Sequence, residues 1–430
     1  MAAETIFALS SGAAPTGVAV IRLSGPRVRF GLETLIGHVP EPRRAALRRL
    51  HAADGSVIDQ GIILFFSAPA SFTGEDVAEL QVHGGRAVIS AILSVLGALP
   101  GFRAAQAGEF TRRAFENGKA DLTEVEGLAD LIAAETEMQR RQALAVAEGG
   151  LSGRLEAWRT RLLRTRALIE AELDFSDEDD VPTSVRTAAL VEAAKLADEM
   201  GEILEDSHWG ERVRSGFEVV LLGAPNVGKS SLLNALAQRD AAIVSEEAGT
   251  TRDMIEVQLT IDGHAVTLVD TAGLREAKSG VEREGINRAR QRGERADLVL
   301  LLHDSDHEMP SAPTGRPALP VRTKTDLGGT ISSGVGVSAR TGDGLAGLRE
   351  AIGKALGLAV PRPSALLIRE RQRSGVATAR DGLIGISASM APELVAEQLR
   401  QSADGLARVT GQTDVEEMLG VIFGEFCIGK

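Results

Sequence analysis

Gly223-Ala224-Pro225-Asn226-Val227-Gly228-Lys229-Ser230 brings two glycines, a lysine and a hydroxyl together within eight residues. The order Gly-x-x-x-x-Gly-Lys-Ser suits phosphate chemistry. Backbone N–H groups of a glycine loop wrap phosphate oxygens at the start of a helix, Lys229 neutralises the β and γ phosphates, and Ser230 ligates Mg²⁺. Val227, Gly228 and Ser231 complete the stretch expected to face the nucleotide. Three further segments follow in the order a nucleoside triphosphatase needs. Gly249-Thr250-Thr251 offers Thr251 to the Mg²⁺ shell. In Asp270-Thr271-Ala272-Gly273, Asp270 can hold the metal through water and Gly273 can donate its N–H to the γ-phosphate. Thr323-Lys324-Thr325-Asp326 supplies a carboxylate that accepts from guanine N1–H and N2–H₂, which adenine lacks at that edge, and Ser338-Ala339-Arg340 matches the last guanine loop. The base expected is guanine.

Two positions depart from the usual GTPase pattern. GTPases usually carry Asn-Lys-x-Asp where this chain has Thr323. Losing the asparagine amide removes a brace on the loop and predicts weaker nucleotide binding, while Asp326 keeps the base discrimination. Ras-like enzymes orient the attacking water with a glutamine just after the Asp-x-x-Gly loop. Here that place holds Leu274, whose side chain cannot polarise water. Either an arginine from a partner or a monovalent cation must take over. Asn226 offers a side-chain carbonyl beside the phosphates and Ser245-Glu246-Glu247-Ala248-Gly249-Thr250 offers backbone oxygens, so together they can hold K⁺ where an arginine finger would act. Asn226 equally suits a tight turn, for which asparagine is a common choice.

Elements of the right kind flank these motifs. Phe217 to Leu222 reads as a buried strand and the glycine loop leads into a helix. Ile255–Ile261 and Val266–Val269 alternate about an Asp262-Gly263 turn, and Asp297–Leu302 is another apolar strand. Strands alternating with helices predict a doubly wound α/β domain over 212–357, with His303 to Pro317 as a loop. Residues 1–118 mix strands (17–23, 62–66, 77–82) with a helix over 86–97, an α+β pattern. From 119 to 211 the period becomes helical. Leu122, Val125, Leu128 and Ile132 form one stripe, Leu151, Leu155, Trp158, Leu162 and Ile169 another, and a helix over 185–206 follows the acidic run Asp174–Asp180 and Pro182. Residues 358–430 are helical again and too short for an independent core, so the α/β domain is expected as an insertion in a helical domain. The fold class expected is multidomain α/β.

Composition narrows the function further. The chain has 430 residues, 43% of them hydrophobic and 25% charged, so it is globular rather than disordered. With 47 Lys and Arg against 60 Asp and Glu the net charge is −13, and any nucleic-acid contact must use a local basic patch. Tyrosine is absent and aromatics are 3%, which argues against a surface of stacked rings for RNA. Cys427 is the one cysteine, so a disulfide scaffold or a cysteine zinc site is excluded, and a small buried side chain is its plain reading. His83 has no second ligand at metal spacing. No signal peptide is expected, no apolar run approaches the ~20 residues of a membrane span, and a cytoplasmic setting is expected.

Outside the nucleotide motifs, several segments carry a family pattern. They are Glu4-Thr5-Ile6-Phe7-Ala8, Ile21-Arg22-Leu23-Ser24-Gly25, Ser71-Phe72-Thr73-Gly74-Glu75-Asp76 and Glu79-Leu80-Gln81-Val82-His83-Gly84-Gly85. Gly108-Glu109-Phe110-Thr111-Arg112-Arg113-Ala114-Phe115, Asn117 to Leu122 and the tail Phe426-Cys427-Ile428-Gly429-Lys430 complete it. With these the chain resembles the MnmE (TrmE) family of tRNA modification GTPases along its whole length. The resemblance implies an N-terminal folate-binding and dimerising domain, a helical domain and an inserted Ras-like G domain. It implies a homodimer whose G domains meet on GTP in a K⁺-dependent way, with Asn226, Ser245, Glu247 and Thr250 at the K⁺ positions and Glu282 orienting the attacking water. It places 5,10-methylenetetrahydrofolate or 5-formyltetrahydrofolate against Arg22, Glu79, Lys119 and Lys430. It implies a flavin-dependent partner of the MnmG (GidA) type, which carries FAD and uses NADH, in a heterotetramer or larger complex. The product implied is a carboxymethylaminomethyl or aminomethyl group at carbon 5 of the wobble uridine, position 34, of certain tRNAs. A ribosome-assembly GTPase is the rival reading. It needs an RNA module such as a Gly-x-x-Gly loop in a basic C-terminal domain, and Arg369, Arg371, Arg373 and Arg380 come without one.

Overall fold

The computed structural model describes residues 4–174, 184–239, 255–270, 292–305, 307–328, 334–359, 366–413, 416–424, 426 and 429. It divides into two compact units. One comprises Met1–Ala129, Val146–Leu196 and Thr378–Lys430, and the other Asp130–Ala145 and Ala197–Ala377. The strands are β1 (Thr5–Leu9), β2 (Thr16–Ser24), β3 (Ala46–His51), β4 (Val57–Phe66), β5 (Val77–Gly84), β6 (Phe102–Ala104), β7 (Phe217–Leu222), β8 (Ile255–Ile261), β9 (His264–Asp270), β10 (Leu298–His303), β11 (Ala318–Arg322) and β12 (Val335–Gly336). The helices are α1 (Val28–Ile36), α2 (Arg86–Ala98), α3 (Glu109–Glu116), α4 (Leu122–Ala133), α5 (Glu137–Ala147), α6 (Gly150–Asp174) and α7 (Ser184–Glu205). They continue with α8 (Ser207–Ser215), α9 (Lys229–Arg239), α10 (Leu345–Leu356), α11 (Glu370–Ile384), α12 (Pro392–Thr410) and α13 (Glu416–Gly424).

In the first unit the sheet runs β3-β4-β5-β2-β1-β6, antiparallel except for the β1–β6 pair. Alternation decides what each face carries. Ala19, Ile21 and Leu23 of β2 and Ala78, Leu80 and Val82 of β5 enter one core with Leu32 and Leu35 of α1 and Ile92 and Leu96 of α2. The residues between them, Arg22 and Glu79 included, therefore stand on the opposite face. The strand expected at 62–66 begins earlier, at Val57, and β3 beside it interrupts its apolar pattern with Arg48 and Arg49. The helical stripe of α6 is as expected, with Leu151, Leu155, Trp158, Leu162 and Ile169 all buried, and α6 packs along α12. Along α4 the stripe holds for Leu122 and Val125 but ends early, since Ile132 is 45% exposed. The acidic run lies almost wholly outside the described residues.

In the second unit the sheet runs β12-β11-β10-β7-β9-β8, parallel apart from the β8–β9 hairpin. Val219, Leu221, Leu298, Leu300 and Leu302 fill the core on one face, and Val220, Val299 and Leu301 fill that on the other. Burial on both faces explains why β7 and β10 read as unbroken apolar runs. The hairpin turns through Asp262 (φ 49°) and Gly263 (φ 79°), the pair of left-handed residues a tight two-residue turn requires. The loops after β7, β9, β10, β11 and β12 thus leave one edge of the sheet, the edge where open α/β sheets bind ligands.

Leu300→Ala would empty a fully buried position in the central strand. We expect a loss of about 2–5 kcal/mol, read as a lower urea midpoint with an unchanged m-value.

Candidate functional site

The phosphate loop is shaped by two backbone positions. Asn226 (φ 62°) and Gly228 (φ 102°) both take the left-handed region, and α9 starts immediately after, at Lys229. A side chain at Gly228 would be strained there. Val227 is buried beneath the turn and anchors it in the core. Lys229 is only 6% exposed, and its Nζ donates to the carbonyls of Gly223 (2.8 Å) and Ala224 (2.9 Å). Burial pushes the ammonium pKa down, and the Asp270 carboxylate works against that shift. Ser230 Oγ donates to Asp270 Oδ2 at 2.8 Å, and Asp270 is fully buried at the end of β9. A hydroxyl beside a carboxylate, on the residue next to a buried ammonium, is a donor set that fits Mg²⁺ with a triphosphate.

Next to this loop lies a cavity of about 310 Å³ lined by Gly228, Ser231, Leu232, Thr323, Lys324, Asp326, Leu327, Val337, Ala339 and Arg340. Asp326 sits in the short 3₁₀ turn Thr325–Leu327. Its Oδ1 accepts from Ser338 Oγ (2.7 Å) and its Oδ2 from Arg340 Nε (2.9 Å). The Ser338 hydroxyl, with Arg340 beside it, holds the carboxyl below its ordinary pKa, so it stays an acceptor. Lys324 (φ 54°) turns its Nζ onto Asp304 Oδ2 at 2.7 Å, and His307 Nδ1 meets Asp304 Oδ1 at 2.7 Å. Asp304 was not singled out in the sequence. Its place directly after β10, on the ligand-binding edge, was the available signal.

Thr323 behaves differently from the expectation that a brace is lost. It is 4% exposed, and its hydroxyl lies 2.6 Å from the Val227 carbonyl and 3.2 Å from that of His303. Its one proton goes to the nearer acceptor. A threonine therefore still ties the base loop to the phosphate loop, with one donor where an amide has two.

In the first unit, register places Arg22 directly opposite Glu79. Arg22 Nε and Nη2 donate to Glu79 Oε1 at 3.1 and 2.9 Å, and the guanidinium lies 5.8 Å from the ring centres of Phe72 and Phe110. Behind them Glu75 accepts from Ser24 Oγ (2.7 Å) and Arg113 Nη1 (2.9 Å). Lys119 runs past Gly74, close to where a Cβ would stand (3.2 Å). Ser10 Oγ donates to the Gly429 carbonyl at 2.8 Å, which brings the chain's last segment to the end of β1. A half-buried cation and carboxylate between aromatic rings fit a flat heterocycle with polar edges. Ser245, Glu246, Glu247, Ala248, Gly249, Thr250, Thr251, Thr271, Ala272, Gly273 and Glu282 lie outside the described residues, as do Cys427 and Lys430.

Two family models match. One, the GTP-binding protein TrmE N-terminus, covers residues 5–119, and the other, the MnmE helical domain, covers 122–427. The chain belongs to the MnmE (TrmE) family. Among its relatives, the tRNA modification GTPase MnmE of Rhizobium johnstonii is 52% identical, with 100% of both chains covered. MnmE of Parvibaculum lavamentivorans is 51% identical over 99% of this chain and all of its own. Among solved structures, the G domain of the T. maritima FeoB iron transporter covers 32% of this chain and 98% of its own, at 28% identity and a TM-score of 0.26. The fold of the second unit rests on its own topology.

Thr323→Val keeps shape and removes the hydroxyl, leaving the buried Val227 carbonyl without that donor. We expect GDP and GTP affinity to fall about 10-fold, with Thr323→Ser close to the parent, by titration with a fluorescent nucleotide.

Proposed function

We infer that this chain is a GTPase that modifies tRNA. The observation that carries the GTPase reading is a cavity lined by Asp326 and Gly228, beside a phosphate loop with its lysine buried and its Ser230–Asp270 pair formed. The tRNA reading is supported by relatives of that name matched end to end.

A finer reading follows from the family. Residues 1–118 form the folate-binding and dimerising domain, 119–211 and 358–430 the helical domain, and 212–357 the G domain. Val227, Gly228, Lys229, Ser230 and Ser231 hold the phosphates with Thr271, Ala272 and Gly273. Lys324, Asp326, Ser338, Ala339 and Arg340 hold the base. Guanine entry requires Arg340 to release Asp326 Oδ2. Ser230 and Thr251 hold Mg²⁺, and Asn226, Ser245, Glu247 and Thr250 hold K⁺ in a homodimer on GTP. Bound there, the two cations would offset the negative charge that builds on the phosphate oxygens in the transition state. Asn226 fits, because it is exposed in a left-handed turn at the loop's outer rim. Glu282 orients the attacking water. Arg22, Glu79, Lys119 and Lys430 hold the folate, which supplies a one-carbon unit. A flavin-dependent partner completes the reaction at carbon 5 of uridine 34. No helix among the described residues is long and apolar enough to cross a membrane, and the cytoplasm is the setting proposed.

Three measurements test this reading. Hydrolysis in KCl should exceed that in NaCl by roughly 10²-fold, and equal rates would remove the cation and call for an arginine from a partner. Asp326→Asn should weaken GTP by about 10- to 100-fold and favour XTP, whose carbonyl accepts from the new amide; an unchanged preference would sink the guanine assignment. Mass spectrometry of tRNA from a deletion strain should show wobble uridines without the modification.

A further inference from the structure

Among the described residues, arginine runs are mostly neutralised where they stand. Arg140 and Arg141 of α5 share Glu137. On α6, Arg159, Arg161 and Arg166 meet Glu156, Glu192 and Glu170. Arg369 and Arg373 reach Asp130 and Glu211, and Arg400 reaches Glu397 and Asp404. The edge of the first unit's sheet is different. Arg43, Arg44, Arg48 and Arg49 fall within seven residues that contain no acid, at and just before β3. β3 is the outermost strand, paired only with β4.

Of these four, Arg44 alone meets a carboxylate. It pairs with Glu41 at 2.7 Å, with both side chains more than 70% exposed, so the pair is weak and easily exchanged. Arg43 takes a left-handed backbone (φ 61°), donates to the Ala70 carbonyl at 2.6 Å, and lies 5.8 Å from the Phe66 ring centre. Arg48 Nε donates to His38 Nε2 at 3.0 Å, a neutral acceptor that leaves the positive charge uncancelled. Arg49 is exposed. Asp59, the acid on the adjoining strand, is held by the His83 N–H (2.8 Å) and ring (2.8 Å). Arg48 and Arg49 stand on opposite faces of β3, so the patch is a cationic strip that flanks the open edge from both sides, on a chain whose net charge is −13.

We propose that this strip at β3, formed by Arg44, Arg48 and Arg49 with Arg43 bracing its start, takes the sugar-phosphate backbone of the tRNA. The proposal rests on the tRNA reading above. Four cations within seven residues of an acidic chain suit a polyanion whose charges repeat along a backbone, which favours a sugar-phosphate strand over a lone carboxylate. β3 itself runs ~17–20 Å at strand rise, long enough for a backbone to lay several phosphates along this edge. None of the four arginines belongs to the phosphate or base loops, so replacing them leaves the residues of the nucleotide site intact.

The test uses the full chain carrying Arg44→Ala, Arg48→Ala and Arg49→Ala together, against the parent and the corresponding triple Lys variant. Binding of unmodified tRNA is measured across a KCl series, alongside GTPase rate without tRNA and sedimentation. We expect tRNA affinity to fall roughly 10- to 100-fold and the slope of log affinity on log salt to shrink by about 2, with the Lys variant close to the parent and the GTPase rate unchanged. An unchanged slope overturns the proposal, even if affinity drops. So does a variant that loses self-association or flavoprotein binding while keeping the parent's tRNA slope, since the strip then serves a protein contact. A parent that binds no tRNA overturns the tRNA reading itself, a result distinguishable from failure of the strip.

Discussion

A buried ammonium governs the second unit. Lys229 is held by the carbonyl oxygens of Gly223 and Ala224. Carbonyl dipoles satisfy its N–H groups but leave its charge poorly solvated, which is why burial lowers its pKa. The arrangement persists because α9 begins at that residue and Val227 pins the loop into the core beneath it. An anion arriving at the loop meets a cation that water does not screen, together with the free N–H groups of a helix start. Much of the free energy of nucleotide binding is thus set in place before the ligand arrives.

The base pocket depends on that loop through Thr323. Its hydroxyl spans from β11 to the Val227 carbonyl, and its backbone N–H joins β11 to the His303 carbonyl at the end of β10. Asp304, next in the chain, then fixes Lys324. The phosphate loop and the ends of β10 and β11 are thus tied to one another by hydrogen bonds. At the position that departs from the usual GTPase pattern, a short hydroxyl still reaches the phosphate loop.

Much of this was legible beforehand. Periodicity located β7, β10, the Asp262-Gly263 hairpin and the buried stripe of α6, since each buries a face that the sequence must match. Short strands escaped. β6 and β12 have three and two residues, too few for a period to register, and β3 reads as charged because it lies at an edge. Side-chain partnerships escaped for a different reason. Arg22 and Glu79 are 57 residues apart, and only strand register brings them opposite. Thr323 looked like a loss because motif comparison counts residue types, whereas the structure counts which carbonyl a donor reaches.

The first unit is assembled from both halves of the chain. Arg186 donates to the Ala388 carbonyl across 202 residues, α6 lies along α12, and Gly429 meets Ser10. A ribosome working from the amino end releases the nucleotide-binding unit before the partners of α6 exist. Newly made protein therefore passes through a stage able to grip a nucleotide while its other half still exposes the apolar side of a lone helix. Chaperone dependence during biogenesis would fall on that interval, and early capture of nucleotide would steady the part already made.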